Sequence, residues 1–179
     1  MEETLRALLP RLFPDWVEDE HLMVLTHRGK TALEASIPRK ILKWNRPADR
    51  FVILRDNDGG DCIGLKGRLR ALAAARPESE VLIRIVCQEL ESWFLGDLQA
   101  IRVAMGRLPV HARQNSSTFR EPDRLTNAAA ELGRLTGIPG KLARAAAIAR
   151  HLDVDPARNR SRSFDVFVSG LQRFVAAKS

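Results

Sequence analysis

Two kinds of apolar pattern alternate along the first 106 residues. Leu5, Leu8, Leu9, Leu12 and Phe13 recur at helical spacing, and Pro10 is expected to kink or end that helix early. His21 to His27, HLMVLTH, reads as a short apolar strand. Residues 30–44, KTALEASIPRKILKW, put Leu33, Ile37, Ile41 and Trp44 near one helical face, again with an internal proline. A buried strand, RFVILRD, then leads through DNDGGD into a helix, CIGLKGRLRALAAA, that carries Ile63, Leu65, Leu69 and Leu72. EVLIRIVCQ is a second buried strand, and Glu91 to Met105 predicts one helix with Phe94, Leu98, Ile101 and Met105 on one face. Val-, Ile- and Leu-rich strands that alternate with helices predict an α/β fold with a mainly parallel sheet flanked by helices.

After Gly106 the pattern changes. RLPVHARQNSSTFREPD is polar and turn-rich, and the remainder of the chain is helical. One helix spans Asp123 to Thr136 with Gly137 as its C-cap, a second runs from Lys141 to Leu152, and the last has the cleanest stripe. In that last helix Phe164, Phe167, Val168, Leu171, Phe174 and Val175 share a face, and Ser163 is placed as the N-cap. Residues 1–106 are therefore expected to form an α/β core, and residues 107–179 a helical extension packed on it.

Composition adds a charge asymmetry. Residues 1–106 hold 16 Lys and Arg against 16 Asp and Glu, whereas residues 107–179 hold 13 against 6, so the net charge of +7 sits entirely in the helical part. A basic surface of this kind attracts phosphate backbones through counterion release. No stretch approaches the ~20 apolar residues of a membrane span, and the acidic start MEETLRALLPRLF does not resemble a secretory signal. A cytoplasmic location is expected. Two cysteines, Cys62 and Cys87, are too few for a disulfide framework and lack zinc-site spacing, so both are read as reduced and packed. The four histidines are scattered.

The candidate chemistry lies at the strand ends, where open α/β sheets bind ligands. Asp56, Asp58 and Asp61 follow the first buried strand, and Glu89 and Glu91 follow the second. If the strands are neighbours, carboxylates from both converge on one crevice, and a divalent cation is the natural partner for such a cluster. In extended backbone Asp56 and Asp58 would point the same way. Read alone, DNDGG is equally a strand-ending turn, and acidic residues in ELESW equally stabilise a helix start. An EF-hand does not fit, because Asp61 stands where that loop requires glycine. No GxSxG, P-loop or GxGxxG is present, which leaves metal-assisted phosphate chemistry.

VILRDNDGGDC, VLIRIVCQELESWFLGDLQAI, FREPDRL and NRSRSFDVFVSGLQRF resemble, in that order, the landmarks of a bacterial Toprim-like family of unknown function, over nearly the whole chain. Members are often encoded beside an ABC- or AAA-type ATPase in anti-phage loci. The resemblance implies a nuclease using Mg2+ or Mn2+, with Asp56 and Asp58 as the metal-binding DxD, Asp61 as a further ligand, and Glu89 and Glu91 completing the shell or acting as base. Arg158, Arg160 and Arg162 would hold the nucleic-acid backbone, and an ATPase would be the partner, with a homo-oligomer as a further expectation. The chain departs from the family where it enters the Leu-rich helix directly, without the preceding strand that carries the Toprim glutamate; Glu2 and Glu3 sit at the helix start instead. That departure favours a second reading, a catalytically incomplete subunit that binds nucleic acid or regulates an ATPase. A haloacid dehalogenase-like phosphatase also places DxD after a buried strand, but the Thr its motif carries has no counterpart in Gly59 to Gly64.

Overall fold

A computed structural model of the chain describes residues 1–46, 48–106 and 110–177. Two parallel strands, β1 (Phe51–Asp56) and β2 (Val81–Val86), form the sheet, with Phe51 opposite Val81 and Asp56 opposite Val86. Strand parity sorts the side chains into two layers. Phe51, Ile53, Val81, Ile83 and Ile85 pack with Ile37 and Ile41 of α2 (Lys30–Lys43) and with Leu65 and Leu69 of α3 (Cys62–Ala73). Leu54, Leu82 and Val86 join a larger core on the other side. That core is built by α1 (Glu2–Leu12), α4 (Glu91–Leu95), α5 (Leu98–Met105), α6 (Ala128–Thr136), α7 (Lys141–Ala149) and α8 (Arg162–Ala176). The architecture is α/β, a parallel pair flanked by helices. The boundary expected after Gly106 falls on residues 107–109, which lie outside the described residues.

Five local expectations are corrected. Residues 21–27 form no strand: one bridge between Glu18 and Leu22 is all the pairing there, and Met23 and Leu25 stay 49% and 42% exposed. A strand needs a paired edge, and this apolar run has none beside it among the described residues. Pro10 and Pro38 do not end their helices. Pro10 lies in the last turn of α1, where only one backbone bond is lost, and Phe13 N still donates to Leu9 O at 2.8 Å.

The helix expected over Glu91 to Met105 is two helices. Asp97 caps the second one, accepting from Ala100 N at 2.9 Å, and its other oxygen accepts from Asp153 N at 2.9 Å. The Gly96 carbonyl turns outward to accept from Arg160 N at 2.9 Å. The N-cap of α8 is Ser161, which accepts from Phe164 N, while Ser163 is buried as the second residue of the helix. Finally, the helix expected from Asp123 starts only at Ala128, because Pro122–Arg124 is a separate short turn, while Gly137 ends α6 in left-handed backbone as expected.

The start of α8 is the best-organised part of the interior. Asp123, just after the FREP stretch, accepts from Ser161 Oγ at 2.6 Å and from Ser163 N at 2.7 Å. Trp93 Nε1 donates to Ser163 Oγ at 3.0 Å, and Asn159 spans from the Trp93 carbonyl to Ser161 N. The Trp93 ring stacks on Phe167 at 5.0 Å and meets Phe164 edge-on at 5.3 Å. Each of these buried polar groups thus has its partner, as a low-dielectric interior demands.

Gly96 is tight for reasons of space rather than backbone conformation. A Cβ there would lie 1.9 Å from Asn159 Oδ1 and 2.7 Å from the backbone nitrogen of Ser161. Gly96→Ala should therefore destabilise the protein by about 3 kcal/mol, the upper end of ordinary overpacking costs, measured by urea denaturation. A loss below about 0.5 kcal/mol would show that the 159–161 segment yields freely.

Candidate functional site

Asp56 shares its strand parity with Leu54, so it looks toward the larger layer of helices at the carboxyl end of β1. There it feels the charge of Glu91, the first residue of α4, which is only 2% exposed. Glu91 Oε1 pairs with Lys141 Nζ at 3.2 Å, across from the start of α7. Its other oxygen, Oε2, and Asp56 Oδ1 are both buried without a hydrogen-bond partner. Burial first, then the Glu91 charge and, more weakly, Asp58 push the Asp56 carboxyl up to about 6 against the opposing pull of Lys141. Asp56 behaves this way because a low-dielectric setting and a neighbouring negative charge both disfavour its charged form. Unpaired buried oxygens cost roughly 1–3 kcal/mol each, so the pair is unfavourable for folding unless a cation or proton joins it.

Asn57 holds the two strand ends in place. Its Oδ1 accepts from Gln88 N at 2.5 Å and Gly59 N at 3.3 Å, and its Nδ2 donates to Gly60 O at 2.8 Å and Cys62 Sγ at 3.0 Å. One buried amide therefore ties the loop after β1 to the loop after β2. The tie requires left-handed backbone at Asp58 (φ 50°) and Gln88 (φ 61°), beside Gly59 at 78°.

The other acidic candidates are placed differently. Extended backbone stops at Asp56, so Asp58 does not project beside it; its carboxylate pairs with Lys30 of α2 at 3.2 Å on the exposed surface. Asp61 is the N-cap of α3, accepting from Ile63 N and Gly64 N at 2.9 Å each. Glu89 reaches the start of α6, where its Oε2 accepts from Ala129 N at 2.8 Å. Both carboxylates thus serve helix starts, whose backbone N–H groups otherwise lack partners. Among the described residues, no three His, Cys, Asp or Glu side chains group around one point. Glu2 pairs with Arg6 at 3.1 Å.

Arg160 and Arg162 line a cleft of about 690 Å³ between α3 and α8, together with Lys66, Arg70, Arg84 and Arg124. Arg158 does not join them and pairs with Asp153 at 3.4 Å and Asp155 at 3.8 Å. Cys62 and Cys87 are free thiols 3.9 Å apart, and burial, with Asp123 nearby, pushes the Cys87 thiol up to about 12, far from a nucleophilic thiolate.

Two contributors are not legible in the sequence. Asn57 reads as a turn residue flanked by the more conspicuous acids. Lys141 lies fifty positions from Glu91, yet it leaves one trace: a lysine in the first turn of a helix opposes the helix dipole, so something else must hold it there.

Together the fold and site define a small parallel α/β protein with a buried carboxylate pair at the carboxyl end of its strands. The chain belongs to the family described as Domain of unknown function (DUF4276), whose model matches residues 1–172 and so spans both the sheet and the helical part. No curated protein and no solved structure matches the sequence. Among the described residues, no helix is long and apolar enough to cross a membrane.

Asp56 keeps its proton to a higher pH in the folded protein than in the unfolded chain, between the ordinary 3.8 and about 6. The folded state therefore binds more protons in that window, and stability falls as pH rises through it. In a chelating buffer Asp56→Asn should stabilise the protein by about 1–3 kcal/mol above pH ~7 and by nothing below pH ~4. Denaturant melts at the two pH values check this; an equal effect at both would mean that Asp56 ionises without hindrance.

Proposed function

We propose that the protein is a Toprim-like, Mg2+-dependent nuclease whose metal-binding and proton-handling groups are Asp56 and Glu91, with Asp58 at the rim. The observation that carries this reading is the pair of buried, unpartnered oxygens, Asp56 Oδ1 and Glu91 Oε2, at the carboxyl ends of adjacent parallel strands. Buried hard oxygens without donors are what a divalent cation seeks, and Mg2+ characteristically takes only one or two carboxylates, completing its shell with water and substrate phosphate.

A cation bound there would supply Lewis-acid polarisation of a phosphoryl oxygen. The remaining work falls to the chain's own groups. Lys141, more than half exposed beside Glu91, can also meet a phosphate oxygen and orient the diester. Without the cation the Asp56 carboxyl, near 6, holds a proton close to neutral pH, and binding of the cation would release it. Glu91, held by Lys141, keeps one oxygen turned to the pocket. The sequence landmarks add an ATPase partner and a role in phage defence to this reading.

A specific observation favours the second reading, a non-catalytic subunit that binds nucleic acid or regulates an ATPase. Asp61 and Glu89 are committed to helix starts and Asp58 to Lys30, which leaves two carboxylates rather than five for the site. The readings separate in one experiment. With Mg2+ and a mixed single- and double-stranded substrate, the wild-type chain, with its ATPase partner where one is encoded alongside, should cleave. Asp56→Ala and Glu91→Gln should each reduce cleavage at least ~100-fold, the usual scale for acid–base groups. Mg2+ should also raise the thermal midpoint of the wild type and not of Asp56→Ala. Undiminished cleavage in both variants would exclude the assignment, and strand binding without any cleavage would favour the second reading.

A further inference from the structure

We propose that the cleft between α3 and α8 is a binding site for unpaired nucleic acid, with phosphates on its cationic walls and bases on its apolar floor. The proposal names the substrate class of the function proposed above and rests on its nucleic-acid part.

The cleft runs along β2, on the edge that β1 does not cover. Lys66 and Arg70 stand one turn apart on α3; Arg160 and Arg162 lead into α8 on the opposite wall. Arg124 ends the short turn Pro122–Arg124, and Arg84 belongs to the strand itself. Six cations thus face two acids, Glu121 and Asp123. Asp123 is committed to the start of α8, and Glu121 pairs with Arg124 at 3.3 Å. Among the described residues Lys66, Arg70 and Arg162 pair with no acid. Cations gathered in a concave, partly apolar site focus their field on an entering anion.

Arg84 shows how the fold accommodates this arrangement. Its Nε donates to Val166 O at 2.9 Å, and its guanidinium slides under α8 where Gly170 has no side chain; a Cβ there would sit 2.0 Å from Arg84 Nη2. Burial and, after it, the neighbouring Arg173 lower the pKa of Arg84, as expected for cations crowded without a counter-ion.

The floor distinguishes the class of ligand. Ile83 and Ile85 of β2 form its base, with Val166 on one wall and Ile63 on the other, 85% exposed at the rim. A duplex offers phosphates on its outside and stacks its bases within, so it would leave this apolar surface wet. An unpaired strand splays its bases, which can lie on aliphatic groups and on guanidinium planes while the backbone follows the walls. The volume is in the range of pockets that enclose one small ligand, roughly 300–1,000 Å³, which suits one or two nucleotides.

The test is fluorescence anisotropy of the full-length chain in EDTA with labelled oligothymidylate, oligouridylate and a duplex of the same length, across a salt series. Either single strand should bind about tenfold tighter than the duplex, and the stronger of the two identifies the sugar. Lys66→Glu and Arg162→Glu should each weaken binding and lower the salt slope by about 0.7, the increment for one phosphate contact on a single strand. Both positions lie at the surface, and an acid in the first turn of α8 suits its dipole, so these variants should fold; circular dichroism checks it. Ile63→Ser should weaken binding with the slope unchanged. Equal or tighter binding of the duplex, or wild-type binding by both charge variants, overturns the proposal. The binding assay holds no metal and its variants leave the carboxylates intact, so cleavage that survives Asp56→Ala rejects the catalytic centre without touching the cleft.

Discussion

The buried amide of Asn57 joins the two strand ends, beside the backbone bonds from Asn57 N to Val86 O and from Asp58 N to Gln88 O. Its oxygen and nitrogen satisfy backbone groups from both loops, and losing it would leave the Gln88 N–H without its side-chain acceptor. The left-handed turns at Asp58 and Gln88 are tolerated because this amide over-determines them. With the loops locked together, Asp56 and Glu91 are held in the same pocket although they repel. Their mutual opposition is stored in the fold, which is the condition under which a cation or proton gains by entering.

The most distinctive sequence landmarks divide between two duties. In ELESWFLGD, Glu91 faces the carboxylate pocket, whereas Trp93, Gly96 and Asp97 belong to the interior lattice that starts α8 and α5. Asp123 from FREPD and Asn159, Ser161 and Ser163 from NRSRSF complete that lattice. It fixes Arg160 in the cleft wall through its backbone N–H to Gly96 O, and Arg162 as the first residue of α8. Structural polar groups therefore position both sets of charges around β2: acids at its carboxyl end toward α4 and α7, cations along its free edge between α3 and α8.

Much of this is readable in one dimension. The buried strands and the amphipathic faces of α3, α6 and α8 follow from the spacing of apolar residues, since burial of one face is a local demand that each segment carries itself. The placement of acids after both strands is also visible. Residues 21–27 mislead because an apolar run is a strand only if an edge lies beside it, and the 91–105 segment misleads because its break is imposed by Asn159 and Asp153, more than fifty residues away.

By itself the sequence determined the α/β class, the parallel pairing implied by alternating strands and helices, the basic bias of the helical half and the acidic strand ends. Tertiary structure alone decided which acids remain available. Asp61 and Glu89 were claimed by helix starts, Asp58 by Lys30, and Arg158 by Asp153 and Asp155, while Lys141 was brought to Glu91. The reason is physical: whether a charge is exposed, capped or buried depends on which distant backbone and side-chain groups pack around it, and that information is in no local pattern.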